Sequence, residues 1–262
     1  MVNNMEKSHF LYIAGLIILS IISAYVLIFL PHGEAIPILE SSFFLFGLAL
    51  NSTILLWTIG GYLLLRWIKT KRKNPSLFIW SISFLVYSLT FIAHIFRALG
   101  FPNANENLSV IHFFLWRWVM PCFSAGMLYG ILKILTDNKK LQKIPSISVL
   151  VLGFLWLILG LFVIPSKNPI ETTMYLFLHT IWIPVCFSMA YIFIFYGYKA
   201  KELGPKVIGL GFFLLMVSYF GWAPWHFDDV VYLYFIWYFI FLLSLVPILL
   251  GFVVMSYEEK HK

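Results

Sequence analysis

Long apolar runs alternate with short polar segments along the whole chain. Eight runs stand out, at about 11–30, 43–68, 77–98, 109–135, 146–165, 173–197, 206–222 and 229–256. A helix needs about 20 apolar residues to cross the hydrocarbon core of a bilayer. Only helices and closed barrels satisfy their backbone in lipid, and these uninterrupted runs lack the alternation of barrel strands. The pattern predicts an all-α, polytopic integral membrane protein with eight transmembrane helices, one membrane domain over 1–262. The seventh run is the shortest, and the turn after it spans only Ala223 to Asp228. Seven spans with one re-entrant helix is therefore the alternative. The first run follows a single lysine, Lys7, and has no small-residue cleavage site, so it reads as a true span and not as a signal peptide.

The polar segments supply orientation. Arg66, Lys69, Lys71, Arg72 and Lys73 fall after the second run, Lys133, Lys139, Lys140 and Lys143 after the fourth, and Lys199, Lys201 and Lys206 after the sixth. With Lys7, Lys260 and Lys262 they put all but Arg97, Arg117 and Lys167 on one side. Basic loops stay in the cytoplasm, so both termini are expected there, in the plasma membrane. Glu34, Glu40, Glu106, Glu171, Asp228 and Asp229 fall on the outer side.

Three basic loops share one form: Lys69-Thr-Lys71 before Pro75, Lys139-Lys140 before Pro145, and Lys199-Ala-Lys201 before Pro205. A proline opening a helix gives up an N–H that has no helical partner anyway. Glu40-Ser-Ser-Phe-Phe-Leu-Phe46 also echoes Glu171-Thr-Thr-Met-Tyr-Leu-Phe177, half a chain later. The echoes predict a four-plus-four duplication in parallel orientation, with halves 1–140 and 141–262. Ordinary capping before apolar runs yields the same echo without duplication. A second echo pairs Trp118 and Cys122 around Pro121 with Trp182 and Cys186 around Pro184. Either the two proline kinks open a shared cavity, or the small residues mark tight helix packing.

Composition agrees: 61% of residues are hydrophobic, 19% aromatic and 11% charged, and the mean hydropathy is +0.92. Soluble domains carry about 25% charged residues, which excludes a cytosolic enzyme, a disulfide scaffold and a nucleic-acid-binding module. The net charge of +7 follows from the basic loops and calls for no nucleic-acid partner. Ten tryptophans and fourteen tyrosines supply interfacial belts, for which Trp57, Trp67, Trp80, Trp222 and Trp225 are suitably placed.

Ionisable groups inside spans are costly and are candidates for function. His94 lies near the outer end of the third run with Arg97 beside it, His112 enters the fourth, His179 lies within the sixth, and His226, Asp228 and Asp229 precede the eighth. Glu40 and Glu171 open the second and sixth runs on the same side. Histidines at matched depth could ligate a haem or a transition metal, line a solute path, or hydrogen-bond between helices. No HxxxH, HxH or CxxC pair is present. Arg117, between Trp116 and Trp118, lies about 12 Å from the outer end by helical rise and calls for an anionic partner, such as an acidic side chain or a propionate, or for snorkelling to the interface.

Two stretches resemble haem–copper oxidase subunits. Trp225-His226-Phe227-Asp228-Asp229-Val230-Val231-Tyr232-Leu233 resembles the Trp-His-Phe-Val-Asp-Val-Val-Trp-Leu stretch of cytochrome oxidase subunit III. His112 with Gly126 and Leu128-Tyr129 is similar to the second helix of subunit I, which implies that His112 is a haem ligand. Ile36-Pro37, Glu40 and Phe43-Phe44 resemble the acidic motif of membrane lycopene cyclases, although single acids stand where that family has pairs.

Three functions thus compete. The first is a haem- or metal-binding redox or oxidase-associated protein, using His94, His112, His179, His226 and Arg117 as cofactor-binding residues. The second is a transporter, channel or receptor for a small solute or protons, motivated by the parallel repeat and the two kinked helices; Glu40, Arg97, Cys122, Glu171, Cys186, Asp228 and Asp229 are further polar-site candidates. The third is a lipid- or isoprenoid-modifying enzyme. The expected partners are the bilayer and membrane-complex subunits.

Overall fold

The computed structural model describes residues 42–98, 104–163, 177–220 and 231–260. They form seven α-helices: α1 (Ser42–Lys69), α2 (Pro75–Ala98), α3 (Ala104–Leu135), α4 (Lys139–Val163), α5 (Ile183–Ala200), α6 (Leu203–Phe220) and α7 (Val231–Lys260). A π-helical turn, Leu178–Trp182, leads into α5. No strand occurs among the described residues. Five segments are long and apolar enough to cross a membrane: Phe46–Lys69, Pro75–Ile92, Trp118–Leu135, Thr180–Ala200 and Tyr238–Glu258. Leu203–Tyr219 is apolar but shorter. The first apolar run of the sequence lies outside the described residues.

The helices close into a ring in the order α1, α2, α3, α5, α6, α7, with α7 returning to α1. α4 packs on the outside of α3. Within the ring, contact concentrates in two trios, α1–α2–α3 and α5–α6–α7. The trios meet along thinner seams, α1 with α7 and α3 with α5.

Capping fixes where the helices stop. α1 ends with Lys71 in the left-handed region at φ 51°. The Lys71 N–H bonds to the Ile68 carbonyl at 3.0 Å and the Arg72 N–H to the Trp67 carbonyl at 3.0 Å. α5 ends the same way at Lys201, φ 57°, with N–H bonds from Lys201 to Tyr198 (3.4 Å) and from Glu202 to Gly197 (3.0 Å). These are Schellman caps with lysine where glycine is usual. The next helix then starts on an asparagine or a borrowed carboxylate. Asn74 Oδ1 accepts from Ser76 N–H at 3.1 Å, and Asn138 Oδ1 from Lys140 N–H at 3.0 Å. Glu258, near the end of α7, accepts from the Leu203 and Gly204 amides at 2.7 and 3.1 Å. An anion there also suits the positive end of the α6 dipole. The basic turns after α1, α3 and α5 and the end of α7 consequently share one end of the bundle. Two of the three loop prolines are not helix openers: α4 begins six residues before Pro145, and Pro205 is the third residue of α6.

The ring is filled by aromatic side chains. Near the basic end, Trp80 of α2 meets Phe193 of α5 and Phe252 of α7, with ring centroids 5.6 and 5.4 Å apart. Phe193 stacks on Phe212 of α6. Trp80 is fully buried, so the interfacial role expected for it is wrong. Its indole N–H donates to the Met127 carbonyl at 3.2 Å. Gly130 of α3 makes this possible, because a Cβ there would overlap the indole. Gly251 of α7 gives the same clearance to Ile208 of α6, whose backbone nitrogen would lie 2.6 Å from a Cβ.

Candidate functional site

A second aromatic layer lies two helical turns further from the basic end. Tyr87 and Phe91 reach it from α2, Phe123 from α3, Tyr219 from α6 and Phe241 from α7; all are buried. Trp182 enters from the π-helical turn and Cys186 from one turn later in α5, both buried. The Trp182 ring lies 5.2 Å from Phe123, 5.2 Å from Tyr219 and 5.5 Å from Tyr87, centroid to centroid.

The turn has a local cause. Pro184 has no N–H to give the Thr180 carbonyl, and its ring crowds that group. An extra residue in the turn accommodates both effects, and π turns recur at functional sites. The Pro184 carbonyl in turn accepts from Ser188 Oγ at 2.7 Å.

Polar groups in this layer are few. The hydroxyls of Tyr87 and Tyr219 hydrogen-bond to each other across the ring, and so join α2 of one trio to α6 of the other. The Trp182 indole N–H is buried and has no hydrogen-bond partner among the described residues. Such a donor costs about 1–3 kcal/mol in desolvation unless something accepts from it. The residues that build the layer carry no formal charge. Chemically, it offers an indole N–H, a phenol pair and a thiol, inside aromatic walls.

His94 and Arg97 occupy the far turns of α2, His112 and Arg117 the first half of α3, and His179 the π-helical turn. Their backbones thus gather toward the end opposite the basic loops, and their side chains lie outside the described residues. Glu40, Glu171, His226, Asp228 and Asp229 lie outside the described residues altogether. Among the described residues, no three His, Cys, Asp or Glu side chains gather to hold a metal ion.

The two cysteines part company. Cys186 is buried with Trp182, whereas Cys122 and Trp118 are exposed on the outward face of α3. They line no common cavity, so the shared kinked cavity is corrected. Tyr87 and Tyr219 escaped the sequence reading. Their signal was position: each phenol lies inside an apolar run, away from the interfaces where tyrosine collects. Comparison with known proteins finds no matching family model, no matching curated protein and no matching solved structure.

Proposed function

We propose that the chain is a multi-pass membrane protein that binds a small solute between two like halves. Binding carries the solute, or the signal of its presence, across the bilayer. The observation behind this reading is the Trp182 N–H, a donor buried without an acceptor among the described residues where the two helix trios meet. Buried donors are otherwise nearly always paired. In membrane proteins built from parallel repeats, solute sites lie near the midplane at the repeat interface.

Matching burial supports the like halves. Leu56, Ile59 and Leu63 of α1 and Cys186, Met189 and Phe193 of α5 are buried at a constant offset, as are Trp80, Phe84, Tyr87 and Phe91 of α2 against Ile208, Phe212, Leu215 and Tyr219 of α6. Gly130 and Gly251 make the same clearance for the paired Trp80 and Ile208. The left-handed caps at Lys71 and Lys201 repeat at the α1/α5 offset. The halves differ where the polar groups lie. Trp182, Cys186 and Tyr219 correspond to Ser52, Leu56 and Phe91, and the Ser52 hydroxyl bonds to the Leu48 carbonyl. Divergence of this kind leaves one site per chain. The aromatic layer at the basic end favours a binding site closed on that side over an open pore. The basic loops support a cytoplasmic location for that end, with the chain in the plasma membrane.

The test is motion. Spin labels at Lys71→Cys and Lys201→Cys, with the exposed Cys122 replaced by serine, report the separation of the halves in the full chain in nanodiscs. Two distances are expected, with Tyr219→Phe enlarging the minor population because it removes the bond across the seam. A single distance unchanged by Tyr219→Phe refutes the reading.

A redox or metal centre is the second reading, favoured by His179 standing in the π-helical turn. Haem absorbance and metal analysis of protein from its native host test it, and absence of both overturns it.

A further inference from the structure

We infer that the Trp182 layer recognises the carbonyl-type oxygen of a small uncharged molecule, and that Trp182 determines this specificity. The inference takes from the proposed function only the location of the site at the seam. Three observations carry it.

The first is the sense of the unpaired group. Trp182 offers an N–H, and an indole N–H can only donate. The ligand must therefore bring the acceptor. The indole is fully buried, so bulk water does not supply one.

The second is the charge of the surroundings. The side chains around the indole are Tyr87, Phe123, Cys186 and Tyr219, backed by Phe91 and Phe241. None of these described side chains is a carboxylate, ammonium or guanidinium. An ion taken against them loses its hydration with no countercharge from them, which favours an uncharged ligand. The walls themselves are faces and edges of rings, which suit a flat apolar body.

The third is the state of the neighbouring donors. One phenol O–H of the Tyr87–Tyr219 pair is spent on the bond between them. Other described polar groups near this depth are engaged as well: Ser124 Oγ donates to the Met120 carbonyl, Ser88 Oγ to Leu85 and Thr90 Oγ1 to Tyr87. The Trp182 N–H differs from these in being buried with no acceptor among the described residues. Ring separations of 5.2–5.5 Å around it leave no gap for a further ring, so these rings must shift to admit one.

The experiment uses the purified full chain in detergent and three probes of similar size. Acetophenone carries a carbonyl, ethylbenzene has the same shape without an acceptor, and benzoate carries charge. Acetophenone is expected to raise the thermal midpoint, as a ligand of the folded state does, and to move one indole resonance in a spectrum of ¹⁵N-tryptophan-labelled protein. Ethylbenzene and benzoate are expected to do neither. Trp182→Phe removes that resonance and weakens acetophenone about tenfold, the worth of one hydrogen bond. Equal effects from ethylbenzene, or indole resonances that ignore acetophenone, overturn the inference. The comparison of probes on the unaltered chain stands even if Trp182→Phe does not fold. A seam that moves while the indole ignores acetophenone sinks the inference alone. A fixed seam with acetophenone on Trp182 sinks the proposed function alone.

Discussion

Replacing Gly130 by alanine tests whether the aromatic core is as closely fitted as described. The added Cβ falls on the Trp80 indole, with its nearest atoms all in that ring. Trp80 cannot retreat easily, because Phe193 and Phe252 flank it at 5.6 and 5.4 Å. Overpacking of this kind costs about 1–3 kcal/mol. Tilting the indole also stretches its 3.2 Å bond to the Met127 carbonyl, which contributes about 1 kcal/mol. Against this, alanine stabilises a helix over glycine by about 1 kcal/mol. The net expectation is a loss of about 1–3 kcal/mol. Gly61→Ala is the control, since nothing lies within 4 Å of its Cβ, and only the helical gain remains. The assay is reversible unfolding in mixed micelles of increasing denaturing detergent. Adding Trp80→Phe to Gly130→Ala should recover part of the loss, giving a favourable coupling of about 1 kcal/mol in a double-mutant cycle. If both glycine variants shift stability equally, or if the pair adds without coupling, the close fit of Gly130 to Trp80 is wrong.

Glu258→Ala removes the carboxylate that accepts from the Leu203 and Gly204 amides, so amide exchange at those positions should rise about tenfold or more; unchanged protection refutes the clasp. N-Ethylmaleimide in mild detergent should modify Cys122, exposed on α3, before Cys186, buried in α5; mass spectrometry of the two peptides reads the order, and the reverse order refutes the outward facing of α3 at that point.

Run length and charge made the helices legible, because a bilayer demands both. The basic loops after the second, fourth and sixth runs became the turns after α1, α3 and α5. Facing was not legible. A helix in lipid is apolar on the side toward its neighbours and on the side toward the acyl chains, so no polar stripe marks either. Trp80 therefore looked interfacial and proved central. The Trp-x-x-x-Cys spacing shows that Trp118 and Cys122 share a face, as do Trp182 and Cys186, but not which way that face points. The candidate site was half legible: Trp182 and Cys186 drew notice through their spacing, while Tyr87 and Tyr219 meet only through the ring. Asn74 and Asn138 carry no mark in the sequence that separates a helix cap from an ordinary turn residue.

Ring closure bears on how the protein is made. Helices leave the ribosome in order, and α1, α2 and α3 can associate as soon as they are inserted. The seam between α1 and α7 has to wait for nearly the whole described chain. Until α7 arrives, Trp80 lacks Phe252 and the α6 amides lack Glu258. An intermediate halted before α7 exposes indole and unpaired backbone together, a surface that membrane quality control can read. Substitutions in α7 should therefore show first as lower abundance in cells, before purified protein shows any defect.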